Sequence, residues 1–207
     1  MARRTKEEAA QTRRRILEAA LDVFSEKGYS KTRFVDIAER IGLSKGAIYW
    51  HFKTKVDLLT AVMHHAEETY FDEVIGTRPD TLAELRKIML GFARKMTEDK
   101  QLQKIEFFHH FQIEWSAELM TDVHKRLEAL RGDPSEDFEQ SLIHLQEMGE
   151  LSPEVDVRKL ALTLVATWIG AMELALMKEC RFEEFYEVMA FSFDTILGPH
   201  ATRPKTQ

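Results

Sequence analysis

Apolar residues recur at helical spacing along nearly the whole chain, and no segment alternates strictly at period two as a half-buried strand would. Ile16, Leu17, Ala20, Leu21 and Phe24 make the first stripe. Thr5 and Glu8 form a capping-box pattern ahead of it, and Gly28 is placed to end that helix. A second helix over about residues 33–41 carries Phe34, Ile37, Ala38 and Ile41 on one face. Gly42 follows, and Ser44 is a good N-cap for a third helix beginning at Lys45. A connecting helix over 55–75 comes next, about 30 Å long at about 1.5 Å per residue. Leu85, Met89, Phe92 and Met96 then share a stripe. The stretch 104–120 reads as one aromatic helix, with Ile105, Phe108, Phe111, Trp115 and Leu119 facing a core and Phe107, His110 and Glu114 on a neighbouring face. Loops are expected at 76–80, 131–137 and 149–156, and a frayed tail from Gly198.

The pattern predicts an all-α fold of two domains: a three-helix head over 1–55 and a helical body over 56–207, joined by the 55–75 helix. The opening residues lack the apolar core of a secretory signal. The longest apolar run, 160–172, is too short to span a bilayer, so a cytoplasmic protein away from membranes is expected. A single cysteine, Cys180, excludes an internal disulfide framework and a multi-cysteine zinc site. Charge changes the picture more. Residues 1–55 balance at +6 within a chain whose net charge is −6, which leaves −12 on the rest. A basic head on an acidic body suggests that the head meets a polyanion; a solvated basic face is the plainer alternative.

The head has the spacing of a helix–turn–helix. Ala38 is small enough for a steep helix crossing, Gly42 suits a turn of positive dihedral, and Ile48 anchors the second helix of the pair. In "LSKGAIYWHFKTK", Ile48 and Phe52 face inward, four apart. Lys45, Gly46 and Ala47 occupy a capped first turn, whose free amides favour phosphate and whose small side chains permit close approach to a groove. Tyr49, Trp50 and His51 lie around the outer side, within reach of phosphate oxygens, and Lys55 is placed to grip the same backbone. Most of these contacts would position the protein, while Lys45, Ala47 and Tyr49 are candidates to read bases. Trp50 fits packing between helices equally well.

The stretch "GYSKTRFVDIAERIGLSKGAIYWHFKTKVDLL" resembles the DNA-binding signature of TetR-family transcriptional regulators. The preceding "MARRTKEEAAQTRRRILEAALDVFSEKG" resembles the AcrR branch, regulators of multidrug efflux pumps. The resemblance covers roughly the first 60 residues. It implies a homodimeric repressor that binds a double-stranded DNA operator and is controlled by a small-molecule inducer in its C-terminal body. The family usually has threonine at the start of the second helix, where this chain has Arg33 with Thr32 just before; Arg33 could grip phosphate itself.

In the body, an inducer pocket is expected from Met89, Phe92, Phe107, His110, Phe111, Glu114, Trp115, Trp168 and Met172, since apolar walls with a few polar groups suit a small molecule. The same residues fit an ordinary core. An acidic body suits a lipophilic cation, with Glu106, Glu114 or Glu173 as counter-charge. Two apolar stripes on the 157–177 helix need two partners, the chain's own core and a second copy of the chain. Leu164, Trp168, Ala171 and Ala175, with Phe185, Met189 and Phe193 of the last helix, are assigned to that dimer interface. Glu106-x-x-His109 lacks the second copy that a di-iron bundle needs, and adjacent histidines point to different helix faces, so neither a metal nor a cofactor is expected. A helical ligand-binding protein that has lost DNA binding is the rival reading. No nucleophile–base pair or phosphate loop supports an enzyme.

Overall fold

The computed structural model describes residues 6–70, 78–131 and 134–202. Among these the regular elements are helices: α1 (Lys6–Lys27), α2 (Phe34–Arg40), α3 (Lys45–His51), α4 (Lys55–Tyr70), α5 (Leu82–Glu98), α6 (Lys100–Phe111), α7 (Ala117–Arg131), α8 (Pro134–Glu147), α9 (Val157–Leu176) and α10 (Phe182–Leu197), with a 3₁₀ turn at Gly198–His200. The fold is all-α, as the periodicity requires. Thr5 of the expected capping box and the 71–75 end of the connecting helix lie outside the described residues. So does part of two expected loops, although Pro134 begins α8 where a loop was expected.

The chain forms two compact units. One comprises residues 1–69 and 104–132, the other 70–103 and 133–207. In the first, α1 packs on α2 and α2 on α3 around Ile16, Ala20, Phe24, Ile37, Ile48, Leu58 and Leu59, all fully buried. Phe108 of α6 stacks on Phe24, with ring centroids 5.5 Å apart, and Lys104 pairs with Asp22 of α1 at 2.6 Å. Burying such aromatic faces contributes about 1.5–3 kcal/mol each.

The second unit layers α5, α8 and α9 with α10. One cluster gathers Phe92, Met96, Met172, Phe185 and Met189 with Trp168 against it; another gathers Leu85, Leu142, Leu145, Leu160, Leu164 and Phe193 with Met89 against it. Three sequence expectations change here. At 20 residues, α9 is long and apolar enough by length and composition to cross a bilayer, but it packs between α8 and α10. The tail does not fray at Gly198, because Leu151 bridges Ala201 and the Thr202 amide donates to the Glu150 carbonyl at 3.0 Å. Most importantly, Leu164, Ala171, Ala175, Phe185, Met189 and Phe193 are buried inside this unit. The large apolar side chains left exposed on α9 and α10 are Leu162, Ile169, Leu174, Val188 and Phe191. Periodicity exposes two faces of a helix but does not say which one the chain itself covers.

The aromatic stretch 104–120 also differs, because α6 ends at Phe111 and α7 begins at Ala117. The Ser116 hydroxyl accepts the Leu119 amide at 3.1 Å, starting a new helix there. Phe107 and Phe111 are exposed and pack on each other, and Glu114 leaves their helix. The nine expected pocket residues therefore divide between the units: Met89, Phe92, Trp168 and Met172 in one, and Phe107, His110, Phe111, Glu114 and Trp115 in the other.

Candidate DNA-binding site

α3 is built as its sequence demands. The Ser44 hydroxyl accepts the Ala47 amide at 3.2 Å, fixing the first turn. Gly42 has φ +68° in the turn before it, a conformation that glycine adopts without strain. Ile48 is fully buried and Phe52 is nearly so, whereas Ser44, Lys45, Gly46, Tyr49 and Trp50 are exposed and Ala47 and His51 half-exposed. Trp50 is 67% exposed, with His51 edge-on at 4.5 Å, so within the chain it does not pack between helices. Tyr49 rests against Phe34 at 4.8 Å, and the Lys45 ammonium lies 5.5 Å from its ring centroid. One exposed face thus carries two cation-bearing or hydroxyl-bearing side chains held in a fixed relation, next to a capped helix start.

Around α3, the loop between α1 and α2 is tied from several directions. Gly28 ends α1 at φ +81°. The Thr32 hydroxyl is buried and donates to the Gly28 carbonyl at 2.8 Å, so it faces inward, away from any phosphate. Arg33 is the N-cap of α2; its amide donates to Asp36 at 2.7 Å and its side chain is exposed. Hydrogen bonds from the Arg33 amide and from Lys27 hold the Asp36 carboxyl below its ordinary pKa, with the Lys27 bond the larger cause.

Lys55 departs most from its expected role. Its ammonium donates to the carbonyls of Tyr29, Ser30 and Thr32 at 2.9, 3.0 and 3.3 Å, and lies 4.4 Å from the Tyr29 ring centroid. Burial pushes it below the ordinary lysine range, against the pull of the Glu114 charge. A donor already spent on three carbonyls positions the loop; it is not presented to a DNA backbone.

Two further ties were invisible to periodicity. The Tyr29 amide donates to the Gln112 carbonyl at 3.0 Å, and the Glu114 carboxylate accepts the Ser30 amide at 3.1 Å and the Ser30 hydroxyl at 2.9 Å. The Ser30–Glu114 contacts span 84 residues, and no local signal marks them or the Tyr29–Gln112 bond. At the start of α4, Thr54 and Asp57 cap each other reciprocally, a pair that is visible in sequence, and Arg126 of α7 reaches Asp57 at 2.6 Å.

A family model described as bacterial regulatory proteins, tetR family, matches residues 16–62, the stretch that holds α2, α3 and the turn between them. The HTH-type transcriptional regulator AcrR of Shigella flexneri is 34% identical over 178 residues, 84% of this chain and 82% of that protein. The chain belongs to the TetR family. A second TetR-type relative, the HTH-type transcriptional regulator TtgR of Pseudomonas putida, is 31% identical over 175 residues, 80% of each chain. Among solved structures, SmeT, the repressor of the Stenotrophomonas maltophilia multidrug efflux pump SmeDEF, matches with a TM-score of 0.76 at 24% identity. That match covers 94% of this chain and 93% of SmeT, and it establishes a shared fold. This TetR-family chain is accordingly a transcriptional regulator on the AcrR branch and not an enzyme.

Proposed function

We propose that this regulator is a cytoplasmic, ligand-responsive repressor. It binds a pseudo-palindromic operator as a homodimer, is released by a small lipophilic inducer, and controls an efflux pump. The observation that carries the reading is α3 itself, an anchored helix with Lys45, Gly46, Tyr49 and Trp50 exposed beside a capped first turn. Lys45, Ala47 and Tyr49 read bases, while Ser44, Gly46, Trp50, His51 and Arg33 contact the backbone. Thr32 and Lys55 act from behind, holding the loop that sets the approach of α2. In a dimer the two α3 helices would meet successive major-groove faces, about 34–36 Å apart.

The dimer reading rests on the exposed stripe of Leu162, Ile169 and Leu174 on α9 with Val188 and Phe191 on α10, which the chain itself leaves uncovered. The inducer reading rests on the aromatic cluster of Phe92, Trp168 and Phe185, whose rings lie 5.3 Å apart in sequence of contact. A complex of SmeT with triclosan has the same fold, with a TM-score of 0.77 to this chain, and supports a small-molecule site in it. The proposal does not require a cation. Glu114 accepts the Ser30 amide and hydroxyl, so it is no spare counter-charge for an organic cation. Efflux control is carried over from the named role of SmeT, and the inducer acts only through its preference for the state that does not bind DNA.

The test is selection from random duplex DNA, run on wild type and on Tyr49→Ala. Wild type is expected to enrich a palindrome that the Tyr49→Ala variant binds more weakly and with relaxed preference at one position of each half-site, and Lys45→Ala is expected to change which sequence is preferred. A folded wild-type protein that enriches nothing, with or without lipophilic ligands added, would reject the DNA-binding reading.

A further inference from the structure

On α6, Glu106, His109 and His110 bring one ligand atom each to within 4.8 Å of one another. Their positions explain why. Successive residues on a helix are about 100° apart, and Glu106, three and four residues earlier, falls on the arc between the two histidines. The two histidines stand on helix faces about 100° apart, as expected, yet their rings lie 5.3 Å apart, with Glu106 between them. The Glu106 carboxylate already meets His110 Nε2 at 3.6 Å, close to the roughly 3.3 Å between ligand atoms around a tetrahedral zinc.

We propose that Glu106, His109 and His110 form a binding site for a divalent transition ion of the zinc class. Two imidazoles and one carboxylate match the ligand preferences of such ions, whereas calcium and magnesium favour all-oxygen sets. Three protein ligands leave a fourth position open to water or to an anion. The site is also held from outside. The Trp115 indole donates to the His109 carbonyl at 3.3 Å, and its ring stands edge-on 5.9 Å from the His109 ring. One residue before His109, Phe108 is stacked on Phe24 of α1, which fixes the helix that carries all three ligands.

The site rests on its own geometry and stands or falls independently of the DNA-binding reading. Its test is titration of the full chain, freed of any affinity tag, with Co²⁺ alone, followed by visible absorption and then by competition with Zn²⁺. One equivalent of Co²⁺ is expected, with a ligand-field band. A doubly substituted Glu106→Gln/His110→Gln protein is expected to bind more than about tenfold more weakly, at least the loss seen when merely the outer partners of a metal site are removed. His64→Ala/His65→Ala is expected to bind as wild type does, which separates this cluster from the other adjacent pair. Thermal unfolding of each variant confirms that it is folded. Wild type that takes up no Co²⁺ saturably, or folded Glu106→Gln/His110→Gln protein with the same spectrum and affinity, would overturn the site.

Discussion

Glu114 shows how one side chain can matter more than its exposed position suggests. Its carboxyl is held below the ordinary range by its own backbone amide first, and then by the Ser30 hydroxyl and amide. A carboxyl with a lowered folded-state pKa stabilises the fold above its unfolded value, near 4.5, and that contribution disappears as pH falls through the folded value. Glu114→Gln is therefore expected to lower the melting temperature at neutral pH. The difference from wild type should shrink to nothing as pH falls below the carboxyl range. A constant difference at all pH values would mean that the carboxylate charge contributes nothing. The same loop is held by the Lys55 ammonium on three carbonyls, so the α1–α2 connection is fixed by side chains from two other elements.

At the scale of the element, α3 has only seven residues, too few to be stable alone. It depends on Ile48 buried in the unit and on the Ser44 cap. Ser44→Ala removes the acceptor of the Ala47 amide and is expected to cost about 0.5–2 kcal/mol in urea unfolding. An unchanged midpoint would show that water replaces the cap. Local chemistry of this kind was legible in the sequence: Ser44, Gly42, Ile48 and Phe52 all act within a few residues of themselves. The break between α6 and α7 was not, because Phe111 and Trp115 keep helical spacing across it and no glycine or proline intervenes. Ser116, placed three residues before Leu119, was the available signal. The burial of Leu164 and Ala171 could not be read locally, since it depends on where α5 and α10 lie. Likewise, the spacing puts Glu106 on the arc between the two histidines, but the 4.8 Å grouping of their ligand atoms was read only from the structure.

At the scale of the whole molecule, the exposed stripe on α9 and α10 is the surface on which the proposed dimer rests. Phe191 is 71% exposed, an unusual position for so large an apolar ring. In the proposed dimer, Phe191→Glu together with Ile169→Glu would place charges face to face across a twofold axis. Light scattering at micromolar concentration is expected to give the mass of a dimer for wild type and of a monomer for the variant. A dimer that survives both changes would put the interface elsewhere.

The division of the chain into units bears on how such proteins can be recombined. The helix–turn–helix shares its unit with residues 104–132, through the Phe24–Phe108 stack and the Ser30–Glu114 contact, and does not stop at residue 55. A chimaera that grafts residues 1–55 onto a relative's body would sever both contacts. Carrying 1–69 and 104–132 together keeps them. The unit that holds the helix–turn–helix is thus encoded in two separated stretches of gene, and shuffling at a single crossover would divide it.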